Sequence, residues 1–350
     1  MLYVSFLAKK EGEKEAFINN IIVSLVFIVS ISINFLIVTY SYPINLDFIV
    51  FPFDFLMLGF IILFLPIFYV LMLNEKHKFT KKKKNLRDKE KLIPKQLPLK
   101  YDIYRKLTHL VVLAIILFYF TLGFLVKNFF IYLLNYFPNF VSNIFFSVFS
   151  IEKDVMLFTQ YLVVFLVGIS LIGLMTADFV RILKPELYPL KPVNQILREK
   201  ELHMRLGPQI SMSVGCFSII ILYGLYQPIG PLIICTSMTM SIFGDISANL
   251  IGRTIGYKYK YIRNTKKTYI GLFSGMIVAF VSGILVLVLL NTFFSVSLLS
   301  LLLLPLFGAL IIGLLDYLDL EIDDNLSFNF ITTTFLFFIT IFLIQNKFLR

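Results

Sequence analysis

The segment Phe243–Gly275, FGDISANLIGRTIGYKYKYIRNTKKTYIGLFSG, decides how the chain is organised. It opens on the end of an apolar run that carries a carboxylate, Asp245, then passes Gly252 and Gly256 into a cationic hinge. After Thr268 it becomes apolar again. Two apolar runs joined by a short basic hinge read as paired membrane helices, expected at about 229–251 and 269–290.

Outward from this pair the same pattern repeats. The chain has 350 residues, is 58% hydrophobic and has a mean hydropathy of +0.86, more apolar surface than a soluble domain can bury. The apolar residues come in long blocks without the short alternating strands of a barrel. The expected fold class is therefore all-α, a multi-pass integral membrane bundle of about nine helices. Further spans are expected at about 17–41, 48–73, 107–126, 155–175, 209–226, 296–315 and 328–345. The first follows a mixed-charge head and is long enough to span, so it reads as a helix that stays rather than a cleaved signal. Cys216 and Cys235 lie in apolar segments, and His77, His109 and His203 are scattered. Neither set makes a disulfide framework or a zinc spacing.

The net charge of +11 resides mostly in loops. Segment 74–106 alone carries thirteen Lys/Arg against four Asp/Glu, including Lys81 to Lys84. Such loops mark the cytoplasmic side and attract anionic headgroups or substrates. Nucleic acid is not expected as a partner, because no basic soluble domain stands apart from the spans. The basic loops 74–106, 176–208 and 252–268 fall on one side only if segment 128–150, broken by Asn135, Pro138, Asn139 and Asn143, does not cross. That segment is expected in or on the outer leaflet. The amino terminus and the acidic loop 316–327 are then expected inside.

Four groups of residues on that side carry chemistry. On helix 229–251, Asp245 lies in the inner half of the bilayer at ~1.5 Å per residue, where an ionised carboxylate is costly unless paired or wet. Asp245, Asn249 and Arg253 form a polar stripe at i, i+4, i+8, beside the small-residue stripe Ala248, Gly252 and Gly256. That second stripe suits close approach by another backbone or by a phosphate. The plainer reading is a packing face followed by positive-inside cations; the functional reading makes Lys258, Lys260, Arg263, Lys266 and Lys267 neutralisers of a polyphosphate. The second group, Arg105-Lys106-Leu107-Thr108-His109, puts cations at a helix start, a conflict with the macrodipole that a bound anion would relieve. The third joins Asp178 and Arg181, spaced to pair within a helix, to Arg198-Glu199-Lys200-Glu201. The fourth, Glu321-Ile322-Asp323-Asp324-Asn325, offers oxygen ligands for Mg²⁺, or an N-cap from Asp324 or Asn325 for the last span.

In order and spacing the chain resembles the CTP-dependent lipid-alcohol kinases, the family of dolichol/polyprenol kinase, phytol kinase and CTP-using diacylglycerol kinase. R-K-x-x-H stands at Arg105, Lys106 and His109. D-x-x-R followed by R-E-x-E stands at Asp178, Arg181, Arg198, Glu199 and Glu201. G-D-x-x-A-x-x-x-G-R-x-x-G stands at Gly244, Asp245, Ala248, Gly252, Arg253 and Gly256. K-[ST]-x-x-G stands at Lys267, Thr268 and Gly271, and the late D-N pair at Asp324 and Asn325. Leu113 and Leu272 depart from the family pattern, and the D-x-x-R and R-E-x-E pieces lean towards the polyprenol and diacylglycerol branches.

The resemblance covers roughly 100–340, so residues 1–100 read as an added two-span extension with a basic loop, and 101–350 as the catalytic membrane unit. It implies transfer of the γ-phosphoryl of CTP to the hydroxyl of a dolichol-like polyprenol. A diacylglycerol or phytol kinase, a phosphatidate cytidylyltransferase and a non-catalytic carrier of anionic lipids are the alternatives. Asp245 would hold a divalent cation, Mg²⁺ or Ca²⁺, or accept the hydroxyl proton. Gly244, Asn249, Gly252, Arg253, Gly256, Lys258, Lys260, Lys266, Lys267, Thr268 and Gly271 would surround the nucleotide, with Arg105, Lys106 and His109 completing the pocket. Asp178, Asp323 and Asp324 are reserve metal ligands, and Arg181, Arg198, Glu199, Glu201 and Asn325 supporting residues. The expected location is the endoplasmic reticulum in a nucleated cell and otherwise the plasma membrane, with the site facing the cytoplasm.

Overall fold

The structure, a computed structural model, describes residues 1–41, 53–82, 101, 103–105, 114–115, 118–148, 155–263, 265, 267–291 and 296–345. It is a bundle of helices. Among the described residues there is no strand, and the isolated antiparallel bridge Tyr261–Thr268 ties the two ends of the basic hinge.

The amino-terminal part is α1 (Leu2–Lys10), α2 (Lys14–Ser41) and α3 (Phe53–Lys82). A π-helical turn, Phe118–Leu122, leads into α4 (Gly123–Leu134), followed by α5 (Asn139–Val148) and α6 (Val155–Leu183). A short helix, α7 (Glu199–Leu202), precedes α8 (Pro208–Tyr223) and α9 (Ile229–Thr254). The chain ends with α10 (Tyr269–Leu290), α11 (Leu298–Leu318) and α12 (Asp324–Gln345).

Seven of these helices, α2, α3, α6, α9, α10, α11 and α12, are long and apolar enough to cross a membrane. Of the expected span at 107–126, residues 107–113 and 116–117 lie outside the described residues and its last part belongs to the apolar helix Phe118–Leu134; the expected span at 209–226 corresponds to the shorter apolar helix Pro208–Tyr223. The structure therefore supports a multi-pass membrane bundle with seven long spans among the described residues. Within segment 128–150 a turn at Asn135–Pro138 separates the end of the apolar helix Phe118–Leu134 from α5; residues 149–150 lie outside the described residues.

Position in the bundle follows from which faces are apolar. The apolar window of α3 is only 6% buried, so its surface faces lipid; that of α9 is 78% buried, so α9 lies inside. Helix α8 is short, about 24 Å long at 1.5 Å per residue. It is buried along nearly its whole length among α2, α6, α9 and α12, so its length need not match the bilayer. Gly207 and Pro208 start it, proline at N1 lacking an N–H that no helical partner would accept.

Helix ends differ from expectation where polar side chains find partners beyond the apolar run. Helix α6 continues to Leu183 rather than stopping at residue 175, because Asp178 and Arg181 pair along it. Helix α11 continues to Leu318, so Asp316 belongs to its last turn, and Asp319 ends it in the left-handed conformation at φ 46°. Asp323 rather than Asp324 or Asn325 caps α12, its Oδ1 accepting the Asn325 backbone N–H at 3.0 Å.

Candidate functional site

The carboxyl-terminal halves of α6, α9 and α11 and the amino-terminal starts of α2, α8, α10 and α12 meet at one end of the bundle. A polar cavity of about 90 Å³ opens there. Arg105, Arg198, Arg205 and Lys267 bring positive charge to its lining, and Glu201, Asp245, Asp319, Asp323 and Asp324 bring carboxylates, with Asn249 and Asn325 between them. Stretches far apart in the sequence thus share one site. Asp245, 8% exposed, accepts from Asn249 Nδ2 at 3.4 Å one turn along α9. A smaller cavity of about 10 Å³ adjoins the first, sharing Asp245, Asp324 and Asn325 and continuing between α8, α9 and α12 past Met212, Ser241, Phe328 and Asn329.

Lys267 enters the cavity bound by carboxylates. Its Nζ lies 2.9 Å from Asp316, 2.9 Å from Asp319 and 3.6 Å from Asp324. Burial alone would lower its pKa, but Asp324, Asp316 and Asp319 outweigh burial and hold the ammonium above its ordinary range. Asp316 and Asp319 were absent from the expected site residues. The acidic spacing from 316 to 324 signalled them, but only the end of α11 turns them towards Lys267.

Glu201 is a hub. Its Oε1 accepts from Arg105 Nη1 at 3.0 Å and its Oε2 from the Arg198 backbone N–H at 2.8 Å. Asp178, expected as a reserve metal ligand, has a structural role instead and does not line the cavity. It is 1% exposed, with Oδ1 taken by Arg181 Nε at 2.6 Å and Oδ2 by the Gly207 N–H at 2.9 Å. Arg181 then donates to the carbonyls of Glu201 at 2.8 Å and Arg205 at 2.7 Å. The Asp178–Arg181 pair therefore clamps the turn that carries Glu201 and Arg205.

The glycine stripe packs closely against a helix. A Cβ on Gly271 would lie 2.7 Å from the Ala248 carbonyl oxygen and 3.1 Å from Gly252 Cα, and one on Gly256 would collide with Thr268 Oγ1. Gly244 faces Gly275 and Ala279 in the same seam. Thr268 is the N-cap of α10, accepting the Gly271 N–H at 3.2 Å. Gly244, Gly252, Gly256, Thr268 and Gly271, expected around the nucleotide, are thus the α9–α10 packing surface and do not line the cavity. Arg253, Lys258 and Lys260 are exposed and lie outside the cavity lining as well. Lys106, His109 and Lys266, and the side chain of Glu199, fall outside the described residues.

Sequence reasoning missed Arg205 and the amides of Asn19 and Asn20. Arg205 stood in a charged loop with no distinguishing spacing; the adjacent amides near the start of an apolar span were the one available signal. Asn20 Nδ2 donates to the Met204 carbonyl at 2.7 Å and its Oδ1 accepts the Leu206 N–H at 2.8 Å, while Asn19 Oδ1 accepts the Asp323 N–H at 2.9 Å.

The cavity's donors suit a hard divalent cation, since Asp245, Asp323, Asp324 and Asn325 all offer oxygen. Among the described residues no three carboxylates, histidines or cysteines are grouped closely enough to hold an ion by themselves. Comparison of the chain with protein-family models, curated proteins and solved structures finds no match.

Proposed function

We propose that this protein is a CTP-dependent kinase that phosphorylates the hydroxyl of a membrane-embedded lipid alcohol, a dolichol-like polyprenol in the first instance. One observation carries the reading: Asp245, Lys267, Arg105, Arg198, Asp323 and Asp324, drawn from separated stretches, line a single polar cavity at one end of a membrane bundle. Phosphoryl transfer is largely a matter of positioning and charge stabilisation, which such a cavity supplies. The cationic side chains would hold the phosphates. Asp245 and Asp324 would hold a divalent cation, which would neutralise phosphate charge; such ions take one or two protein carboxylates and complete their shell with phosphates and water.

The acceptor's hydroxyl oxygen attacks the γ-phosphorus, the bond to the β-phosphate oxygen breaks, CDP leaves, and the hydroxyl proton passes to a carboxylate, for which Asp245 is the candidate. The adjoining small cavity has room for about one oxygen atom and lies among buried residues of α8, α9 and α12. The isoprenoid tail needs no separate domain, because the bilayer solvates it. The loop-bearing end of the bundle would face the cytoplasm.

The test is purified protein in lipid with labelled CTP, against ATP, over a panel of polyprenols, diacylglycerol and phytol. The reading expects polyprenyl phosphate and CDP. Release of pyrophosphate would instead identify a cytidylyltransferase, and lipid binding without any nucleotide-dependent product would identify a carrier.

A further inference from the structure

The cations of the cavity differ in how much of their hydrogen-bonding capacity the protein uses. Lys267 sits among three carboxylates and Arg105 is paired with Glu201. Arg205 is 2% exposed and lines the cavity, and its guanidinium has five N–H donors to satisfy. Nη2 makes two long contacts, 3.4 Å to Asn19 Oδ1 and 3.4 Å to the Glu321 carbonyl. Among the described residues, Nε and Nη1 have no hydrogen-bond acceptor, and neither has Asn19 Nδ2, on the amide whose oxygen meets Arg205. The carboxylate nearest to Nη1, Glu15 at 3.9 Å, is itself 62% exposed.

A buried guanidinium with unused donors is costly, yet the chain holds this one in place firmly. Asn20 bonds the backbone on both sides of it, at Met204 and Leu206, and Arg181 bonds its own carbonyl. A buried arginine at a cavity wall, with part of its donor capacity unmet by the protein, suits an oxyanion, and its planar fork matches two phosphate oxygens.

We infer that Arg205, held by Asn19 and Asn20 of α2, is the anchor for a phosphate oxyanion in this cavity. The inference deepens the proposed kinase reading, on which the oxyanion belongs to the nucleotide's polyphosphate; a lipid headgroup phosphate offers the same chemistry. Helix α2 is then part of the binding site rather than an accessory to it.

Full-length protein in neutral detergent is titrated with tripolyphosphate and, separately, with dioctanoyl phosphatidate, with affinity read by calorimetry and folding by thermal unfolding without ligand. Arg205→Gln should weaken binding about tenfold or more, as expected for loss of a bidentate charged contact. Arg205→Lys, which keeps the charge and should fold if the Gln variant does not, should recover only part of that loss. Lys184→Gln, an exposed cation in the loop after α6, should bind as the wild type does. Preference for tripolyphosphate assigns the anchor to a soluble polyphosphate, and preference for the phosphatidate assigns it to a headgroup. No binding of either, or wild-type affinity in the folded Lys variant, overturns the inference. Wild type that binds tripolyphosphate through Arg205 but makes no lipid phosphate from CTP removes the kinase reading and leaves the anchor standing.

Discussion

Lys267 concentrates the electrostatics of the cavity. Three carboxylates stabilise its ammonium, so its contribution to stability is complete below its ordinary value of 10.5 and is lost as pH rises through the higher folded value. Lys267→Arg, whose guanidinium keeps its charge, should therefore hold its melting temperature at alkaline pH while the wild type loses part of its own above about 10.5; equal losses in the two would count against the cage. Lys267→Gln should cost about 2 kcal/mol in denaturant unfolding. That is less than the figure for a buried pair, because Asp319 is 40% exposed and water screens part of the repulsion left behind. Asp245→Asn is a different kind of change, since it keeps the shape and removes the charge. On the proposed kinase reading it should lower transfer from CTP to polyprenol by about 100-fold or more, the range for a positioned acid–base group, with helical circular dichroism unchanged. Full activity in that variant would remove Asp245 from the mechanism.

At the scale of elements, the α9–α10 seam and the contact of α2 with α8 decide the geometry of the site. The seam works because side chains are absent from it. Gly271→Leu would drive atoms into the Ala248 carbonyl and should destabilise the bundle by about 3 kcal/mol or prevent its accumulation in membranes. Gly252→Ala, whose new Cβ would meet Thr268 Oγ1 at 3.3 Å and Gly271 Cα at 3.6 Å, should be far milder. Melting temperatures of the two variants in detergent would separate packing from any loss of nucleotide affinity. The alternation of apolar runs made the existence of these helices legible in the sequence. The small-xxx-small pattern was legible too, but its meaning was open between a phosphate and a backbone; the position of α10 against it makes it a packing seam. The ends of α6 and α11 were misplaced because hydropathy falls where Asp178, Arg181 and Asp316 appear, although each finds an ionic partner that lets the helix continue.

For the molecule as a whole, the amino-terminal helices are the part whose role changes most. The resemblance set residues 1–100 apart, yet α2 packs along α8, and Asn19 and Asn20 bond the segments that carry Arg205 and Asp323. Deleting residues 1–41 should therefore do more than shorten the protein. It leaves the Met204 carbonyl and the Leu206 and Asp323 N–H groups without partners in the interior, each at about 1–3 kcal/mol, and it uncovers one side of α8. The expected result is loss of a monodisperse peak in size-exclusion chromatography, whereas a dispensable extension would leave the peak intact.

By itself the sequence determined that this is a helical membrane protein, roughly where its helices run, and which carboxylates and cations were candidates for chemistry. Hydropathy and charge are local, and lipid imposes them residue by residue. Only the tertiary structure decided which candidates share a cavity: it kept Asp245, Lys267, Arg105 and Asp324, placed Asp178 and the glycines outside its lining, and added Asp319 and Arg205, with Asp316 and Asn19 bonded to residues of that lining. That selection depends on where helices end and which faces meet, and those are set by contacts between residues as many as 304 positions apart, as between Asn19 and Asp323.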